Sequence, residues 1–164
     1  MSAALPQEPP WLMPAVLDLL DAMERGHRQA FACSLLPGGE DRAARERAQE
    51  LFVAPQVVLA HDGKSDPHLV YANRDALRLW RRTWAEMVGM PSRLTAEPQE
   101  RASRAQALAQ ARTQGGGGIR GYGGIRIDSH GRRFRLQGAR IWSLIQPDGS
   151  PCGQAAAFDD WWWL

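Results

Sequence analysis

The sequence predicts an α+β fold, with a five-stranded antiparallel sheet, helices on one face of it, and a helical N-terminal extension. Two strand-like segments precede a block of short helices, and three more strand-like segments follow that block. Strand runs separated by helices are typical of α+β sheets with their helices on one side. A chain of 164 residues with 44% hydrophobic content fits one domain plus an extension.

Residues 1–50 are predicted to form the helical extension. After a proline-rich start, residues 11–31 repeat apolar side chains at helical spacing. A proline and two glycines at 37–39 then break the chain, and a short charged helix is predicted over residues 40–52. This extension is acidic, with five basic and eight acidic residues, whereas residues 98–164 carry nine basic and five acidic ones.

The main domain is predicted to span residues 51–160 and to begin with a β-hairpin. Its strands are residues 56–61 and 68–72, joined by a turn rich in Asp, Gly and Pro. The second strand runs into the stretch YANRDALRLW. There Asn73 is predicted to cap the next helix, because its side-chain oxygen can accept a free backbone N–H of the first turn.

The second half of the domain is predicted to contain one long helix and three antiparallel strands. The helix covers residues 99–114 and ends at a run of four glycines. Period-two alternation and turn residues then define strands at residues 119–127, 132–146 and 152–158. Residues 161–164 are predicted to be a Trp-rich tail.

Several segments carry a resemblance to known domains. YANRDALRLW followed by WAEMVG, and the stretch HGRRFRLQGARIWSLIQPDGSPCGQAAAF, resemble the PAS superfamily. VVLAHDGKSDPHLVYANRDALRLW, PSRLTAEP, GIRIDSHGRRFR and GQAAAF together resemble the PAS-like MEKHLA family, from about Leu51 to Phe158. This family includes stand-alone bacterial proteins and the C-termini of plant class III homeodomain–leucine zipper factors. The resemblance implies a sensory or regulatory role through binding or dimerisation, and it brings no catalytic residues.

The longest strand suggests a ligand pocket. Its even positions, which include Phe134, Arg140 and Trp142, form the face that is apolar at both ends and are expected to point toward the helices. An inward Arg140 needs a partner, and a carboxylate ligand is one choice. Two structural alternatives stay open. A bulge at Gly138 would turn Arg140 outward, or Arg140 pairs with Glu97.

Two further residues belong to the predicted pocket. Trp80 either fills the space between sheet and helices or leaves room for a ligand. Arg93, in the PSRLTAEP segment, is expected to line or gate the pocket. The alternative is that this segment is purely structural, with its path fixed by Pro91 and Pro98.

A partner surface is predicted on the outer face of the sheet. If the isoleucines of the first C-terminal strand point inward, a basic stripe points outward, made of Arg120, Arg126, Arg133 and Arg135. The first helix carries an acidic flank at Asp18, Asp21 and Glu24. We therefore expect this helix to pack over the stripe, in its own subunit or in that of a homodimer partner. Nucleic acid is disfavoured as the partner.

Cofactors, metals and catalysis are disfavoured by missing signals. The long helix contains no histidine to ligate haem, and neither Cys33 nor Cys152 lies in the helical block, where a photoactive flavin domain has its reactive cysteine. His61 and His68 flank a turn at a spacing that fits no familiar metal site. The chain contains no G-x-S-x-G, no P-loop and no G-x-G-x-x-G before a helix.

The sequence therefore predicts a non-enzymatic sensory or regulatory module that binds a small molecule or a regulatory protein, as a homodimer. One alternative is a structural dimerisation domain without a ligand, and another is an enzyme for a small anionic substrate. Two cysteines without a CxxC motif, no leader pattern and no apolar run long enough to span a membrane predict a cytoplasmic protein.

Overall fold

The computed structural model describes residues 7–38 and 41–164. The helices are α1 (Pro14–Phe31), α2 (Ala44–Val53), α3 (Arg74–Trp80), α4 (Trp84–Met87) and α5 (Pro98–Thr113). The strands are β1 (Val57–Asp62), β2 (Leu69–Ala72), β3 (Gly118–Ile127), β4 (Arg133–Ile145), β5 (Pro151–Phe158) and β6 (Asp160–Trp163). Most of the predicted proline-rich start, at residues 1–6, and the predicted helix start at residue 40 lie outside the described residues.

The strands form one antiparallel sheet in the order β2-β1-β5-β4-β3, which confirms the predicted five-stranded sheet. Strand β6 adds to it by pairing with β4 next to β5, and residues 161–164 are therefore not the predicted tail. These residues form a strand because alternate side chains of a strand point to opposite faces, which lets every second tryptophan be buried. Trp161 and Trp163 point to one face and pack against Phe134, whereas Trp162 points to the other face and stays exposed.

The facing of side chains along β4 changes at Gly138, which has a φ of +68°. Before this point, Phe134 packs with α3 on the face that also carries α5. After it, the odd positions take over that face, and Ile141 packs against the alanines of α5. Trp142 consequently faces α1. A glycine adopts positive φ without steric penalty, which allows this irregularity in the strand.

Helices α3, α4 and α5 follow the hairpin, and α3 and α5 pack on one face of the sheet, as predicted. The N-terminal helix α1 covers the opposite face of the sheet in the same chain. It can lie this close because residue 26 is glycine. A Cβ atom at Gly26 would overlap the backbone oxygen of Ser143 in β4. The Nε1 of Trp142 donates to the Met23 carbonyl oxygen of α1 at 2.9 Å, which fixes the helix in this place.

Two apolar layers hold the sheet between these helices. One layer lies under α1 and α2 and contains Met23, Leu51 and Trp142. The other lies under α3 and contains Trp80 and Phe134. Burying side chains of this size contributes about 1.5–3 kcal/mol each. Of the helices formed by residues 7–38 and 41–164, none has the length and apolar character that a membrane crossing requires.

Candidate functional site

A cavity of about 60 Å³ lies between the inner face of the sheet and α5. Most of its wall is apolar and consists of Leu59, Leu69, Trp80, Leu108, Leu136, Ile141 and Phe158. The volume can hold a few waters or a small organic group. It is far below the roughly 300–1,000 Å³ of sites for drug-sized ligands.

Two arginines from different elements form the polar part of the wall. Arg104 extends from α5 and donates from Nη2 to the Ser92 hydroxyl at 2.7 Å. Arg126 extends from β3 and donates to the Tyr122 hydroxyl at 2.9 Å and to the carbonyl oxygen of Ile125 at 2.9 Å. Arg126 is only 7% exposed. Within the described part of the chain, neither guanidinium forms an ion pair with a carboxylate.

These two cations act on each other. Burial, reinforced by the positive charge of Arg126, lowers the pKa of Arg104 to about 10. The guanidinium of Arg104 is therefore still protonated at neutral pH. Two partly desolvated cations without a counter-charge are electrostatically unfavourable, so this part of the cavity favours an anion.

His61 is a third polar group in the cavity wall and is 8% exposed. Its Nδ1 lies 2.7 Å from the carbonyl oxygen of Asp62 and donates to it. Burial lowers the pKa of His61, and Arg104 lowers it further, whereas the hydrogen bond to Asp62 raises it. The ring is therefore neutral at pH 7, and its buried Nε2 is an acceptor with no hydrogen-bond partner among the described residues.

Gln154 separates the cavity from a surface groove of about 610 Å³. Its Oε1 accepts from Arg112 at 3.3 Å, and its Nε2 donates to the Leu108 carbonyl oxygen at 2.8 Å. These bonds connect β5 to α5. Because His61 and Gln154 line both the cavity and the groove, a rearrangement at this point would connect the two spaces.

Two residues of the predicted pocket lie on the cavity side of the sheet. Trp80 lines the cavity, and its Nε1 donates to the Thr95 carbonyl oxygen at 3.4 Å. Phe134 packs edge-to-face on Trp80, with ring centroids 5.1 Å apart, and supports it from behind. Trp80 therefore restricts the space without filling it.

Arg93 does not line the cavity. Its Nε lies 3.2 Å from a carboxylate oxygen of Asp66 in the turn between β1 and β2, and both side chains are about half exposed. The PSRLTAEP segment contributes Ser92 and Thr95 to the wall instead. For Arg93, the alternative that this segment is purely structural is therefore the one that the contacts support.

Arg140 and Trp142 also lie outside the cavity, because the irregularity at Gly138 turns them toward α1. Arg140 donates to Nε2 of His27 at 2.8 Å and to the side-chain oxygen of Gln56 at 3.1 Å. Of the two structural alternatives for Arg140, the bulge is therefore the one found. Glu97 pairs with a different arginine, Arg133, at 2.6 Å.

The four arginines of the predicted outer stripe do not lie together. Irregular pairing of β3 around Tyr122 turns Arg126 into the cavity. Arg120 lies over the ring of Phe31 in α1, 4.6 Å from its centroid. Arg133 pairs with Glu97, and Arg135 is exposed.

The acidic flank of α1 faces α2 and the following loop rather than this stripe. Asp21 lies 3.6 Å from Arg47 of α2. Glu24 pairs with Arg28 at 2.8 Å and accepts the backbone N–H of Leu35. Asp18 is exposed. Helix α1 packs on its own chain mainly through apolar contacts.

His27 gives the docking of α1 a predicted pH dependence. Its Nδ1 lies 2.7 Å from the Cys33 carbonyl oxygen and its Nε2 accepts from Arg140, so the ring must be neutral. Burial lowers the pKa of His27 from its ordinary 6.5, and the positive charge of Arg140 lowers it further. The hydrogen bond to the Cys33 carbonyl oxygen acts in the opposite direction and raises it. Below pH 6.5 the unfolded chain then binds a proton that the folded chain does not. We therefore expect the free energy of unfolding to fall as the pH drops below that value.

Urea unfolding between pH 5 and pH 8 would measure this effect. His27→Gln removes the titrating group and is expected to flatten the pH dependence. A smaller slope should remain, because the pKa of His61 is lowered as well. A slope unchanged by His27→Gln would contradict this account of α1 docking.

Sequence reasoning missed Arg104, Tyr122 and His61 as cavity residues. One signal was present for Arg104. The buried face of α5 carries Ala107 and Ala111, and Arg104 lies three and seven positions before them, which is helical spacing on the same face. Tyr122 carried no such signal, because its direction depends on the irregular pairing of β3 with β4.

The sheet order and the cavity beneath the helices define a PAS-like domain. Residues 17–163 match the family model of the MEKHLA domain, and the chain belongs to that family. The match begins within α1 and reaches into β6, so it is wider than the region that the sequence motifs indicated. The search of curated proteins gives no significant match.

Solved structures share the fold. The PAS domain of a protein from Colwellia psychrerythraea matches with a TM-score of 0.61 at 12% identity, covering 69% of this chain and 92% of that one. A light-oxygen-voltage domain whose mechanism was examined with a flavin analogue matches at 0.56 and 18% identity, covering 77% of this chain and 88% of that one. An RNA-binding light-oxygen-voltage receptor matches at 0.59 and 18% identity, over 77% of this chain but only 36% of the receptor.

These neighbours raise the question of a flavin. The cavity is too small for its three fused rings. Cys33 is exposed, and Cys152 lies with the layer under α1, its Sγ 3.7 Å from the Leu144 carbonyl oxygen. The described residues that line the cavity thus include no cysteine and do not fit a photoactive flavin. Nor do the described residues bring three or more His, Cys, Asp or Glu side chains together as a metal site.

Proposed function

We propose that this protein is a sensory or regulatory module that binds a small molecule in the cavity between the sheet and α5. The observation that carries this proposal is the cavity itself, in which Arg104, Arg126 and the free Nε2 of His61 interrupt an otherwise apolar wall. Apolar walls with a few convergent polar groups are typical of small-molecule sites. The signalling role of PAS-like domains supports the same proposal.

The proposed role is not catalytic. The described residues lining the cavity include no Asp, Glu or Cys. The Ser92 hydroxyl accepts from Arg104, a group that cannot act as a base, so this contact does not activate Ser92 as a nucleophile. The enzyme alternative needs a convergent acid/base pair beside an arginine, and among the described lining residues the neutral ring of His61 is the one side chain suited to act as a base.

We also propose that the protein acts as a homodimer. Since α1 covers only part of the outer face in its own chain, part of that face stays open to a partner. Trp162, 41% exposed, and its register partner Arg135 lie in this open part. Exposed aromatic residues beside arginine are common at protein interfaces.

Native mass spectrometry of the purified protein, with its absorbance spectrum, tests this proposal. We expect a dimer mass and a co-purified small molecule without a visible chromophore. A protein that is free of ligand and binds none would leave the structural dimerisation domain as the better account. A monomer at all concentrations would contradict the dimer.

A further inference from the structure

We propose that the ligand is a small monocarboxylate with a short apolar body, and that its carboxylate binds between Arg104 and Arg126. This inference rests on the proposed function, because it names the ligand class for the same cavity. It assigns to Arg104 and Arg126 the anion-binding role that the sequence suggested for Arg140.

The first argument is charge. The cavity contains two guanidinium groups and, within the described part of the chain, no carboxylate pairs with either. A guanidinium has five N–H donors, and the neighbouring acceptors are Ser92 Oγ for Arg104 and Tyr122 Oη with the Ile125 carbonyl for Arg126. Donors therefore remain on both groups. Planar guanidinium forks match the geometry of a carboxylate, which can accept from both arginines at once.

The second argument is the rest of the wall. Leucine, isoleucine and aromatic side chains surround the space beyond the arginines. Inorganic phosphate or sulfate would neutralise the positive charge of the two arginines but would make no apolar contacts with this wall. A hydrocarbon or small aromatic body attached to the anion would contact it and contribute about 0.8 kcal/mol per buried CH₂.

The third argument is size. A volume of about 60 Å³ excludes nucleotides, flavins and long acyl chains unless the cavity opens. A second carboxylate would have to be buried against the apolar wall without a partner, which is unfavourable. These limits leave monocarboxylates of a few carbons.

Isothermal titration calorimetry of the full chain tests this inference with acetate, butyrate, hexanoate and benzoate. Butyramide, hexanamide and benzamide serve as neutral controls of the same shape, and inorganic phosphate as an anion without an apolar body. We expect at least one acid with an apolar body to bind at least about tenfold more tightly than its amide and than phosphate. Acetate lacks an apolar body and is expected to bind more weakly than butyrate, whereas hexanoate and benzoate probe the upper size limit of the cavity.

Matched variants locate the site. Arg126→Gln and Arg104→Gln should each weaken binding of the best acid by roughly 10- to 100-fold, as loss of a charge-assisted bond predicts. Arg78→Gln makes the same charge change at an exposed position of α3 that does not line the cavity, and it should leave affinity unchanged. Circular dichroism reports whether each glutamine variant folds. If one does not, Arg104→Lys is a milder variant, because it keeps the positive charge but lacks the planar guanidinium fork.

The outcomes separate this inference from the proposed function. Equal binding of an acid and its amide, or a neutral co-purified ligand, would overturn the carboxylate and leave the sensory cavity in place. Phosphate binding as tightly as the best acid would also overturn it. Acid binding that survives both arginine substitutions would place the site elsewhere. No binding by any probe, in a protein that purifies empty, would overturn both proposals.

Discussion

Replacing Asn73 with alanine is expected to lower the free energy of unfolding by about 3–5 kcal/mol. Asn73 is fully buried, and its side-chain oxygen accepts the backbone N–H groups of Ala76 at 3.1 Å and Val58 at 3.0 Å. Its amide nitrogen donates to the carbonyl oxygens of Gln56 at 2.7 Å and Leu51 at 3.3 Å. Alanine would remove this partner from four backbone groups, which lie in α2, β1, α3 and the residue before β1, and of these the Leu51 oxygen still accepts the N–H of Ala54. Each buried group so orphaned costs about 1–3 kcal/mol, partly relieved by relaxation.

Thr83→Ala is the matched control for this substitution. Thr83 caps α4 by accepting the Glu86 N–H at 3.2 Å, but it does so at the surface and makes no comparable bonds to other elements of the described chain. It is expected to cost about 1 kcal/mol, as an ordinary cap does. Urea unfolding of both variants compares them directly. A loss for Asn73→Ala no larger than that for Thr83→Ala would show that the amide contributes only its cap.

Asn73 also shows which contacts can be predicted from the sequence and which cannot. Its capping bond depends on residues three positions apart in the chain, and local pattern predicts it. Its two donated bonds depend on where the end of α2 and the residue before β1 lie in space, which no local pattern encodes. The same distinction applies to the order of strands and helices, which was predictable, and to the content of the cavity, which was not.

Strand β4 shows the physical reason most clearly. Alternation predicts which side chains share a face only while the strand is regular. One residue in positive φ at Gly138 reverses the alternation, and this moved Arg140 and Trp142 from the predicted pocket to the layer under α1. Glycine permits such an irregularity but does not require it. The bulge could therefore be named from the sequence as an alternative, whereas its occurrence depended on the packing of both faces.

Gly26→Ala is expected to destabilise the protein by at least about 2–3 kcal/mol, as overpacking of a tight contact does. In an isolated helix this substitution would stabilise by about 1 kcal/mol, because alanine is the better helix former. In the folded protein the new methyl group would overlap the Ser143 backbone oxygen. A strand backbone cannot rotate away as a side chain can. Helix α1 would therefore have to move off β4 and weaken the bond from Trp142 to Met23.

The sign of this effect decides where α1 docks. Gly63→Ala is the matched control, because a Cβ there meets its nearest atom, in Cys152, at an ordinary 3.4 Å, and only a small change is expected. If Gly26→Ala stabilises the protein as in a free helix, α1 does not rest on its own sheet, and the outer face would be open to a second chain. If it destabilises, α1 is part of the folded domain. Any response to a ligand in the cavity must then reach a partner through the sheet or through displacement of this helix.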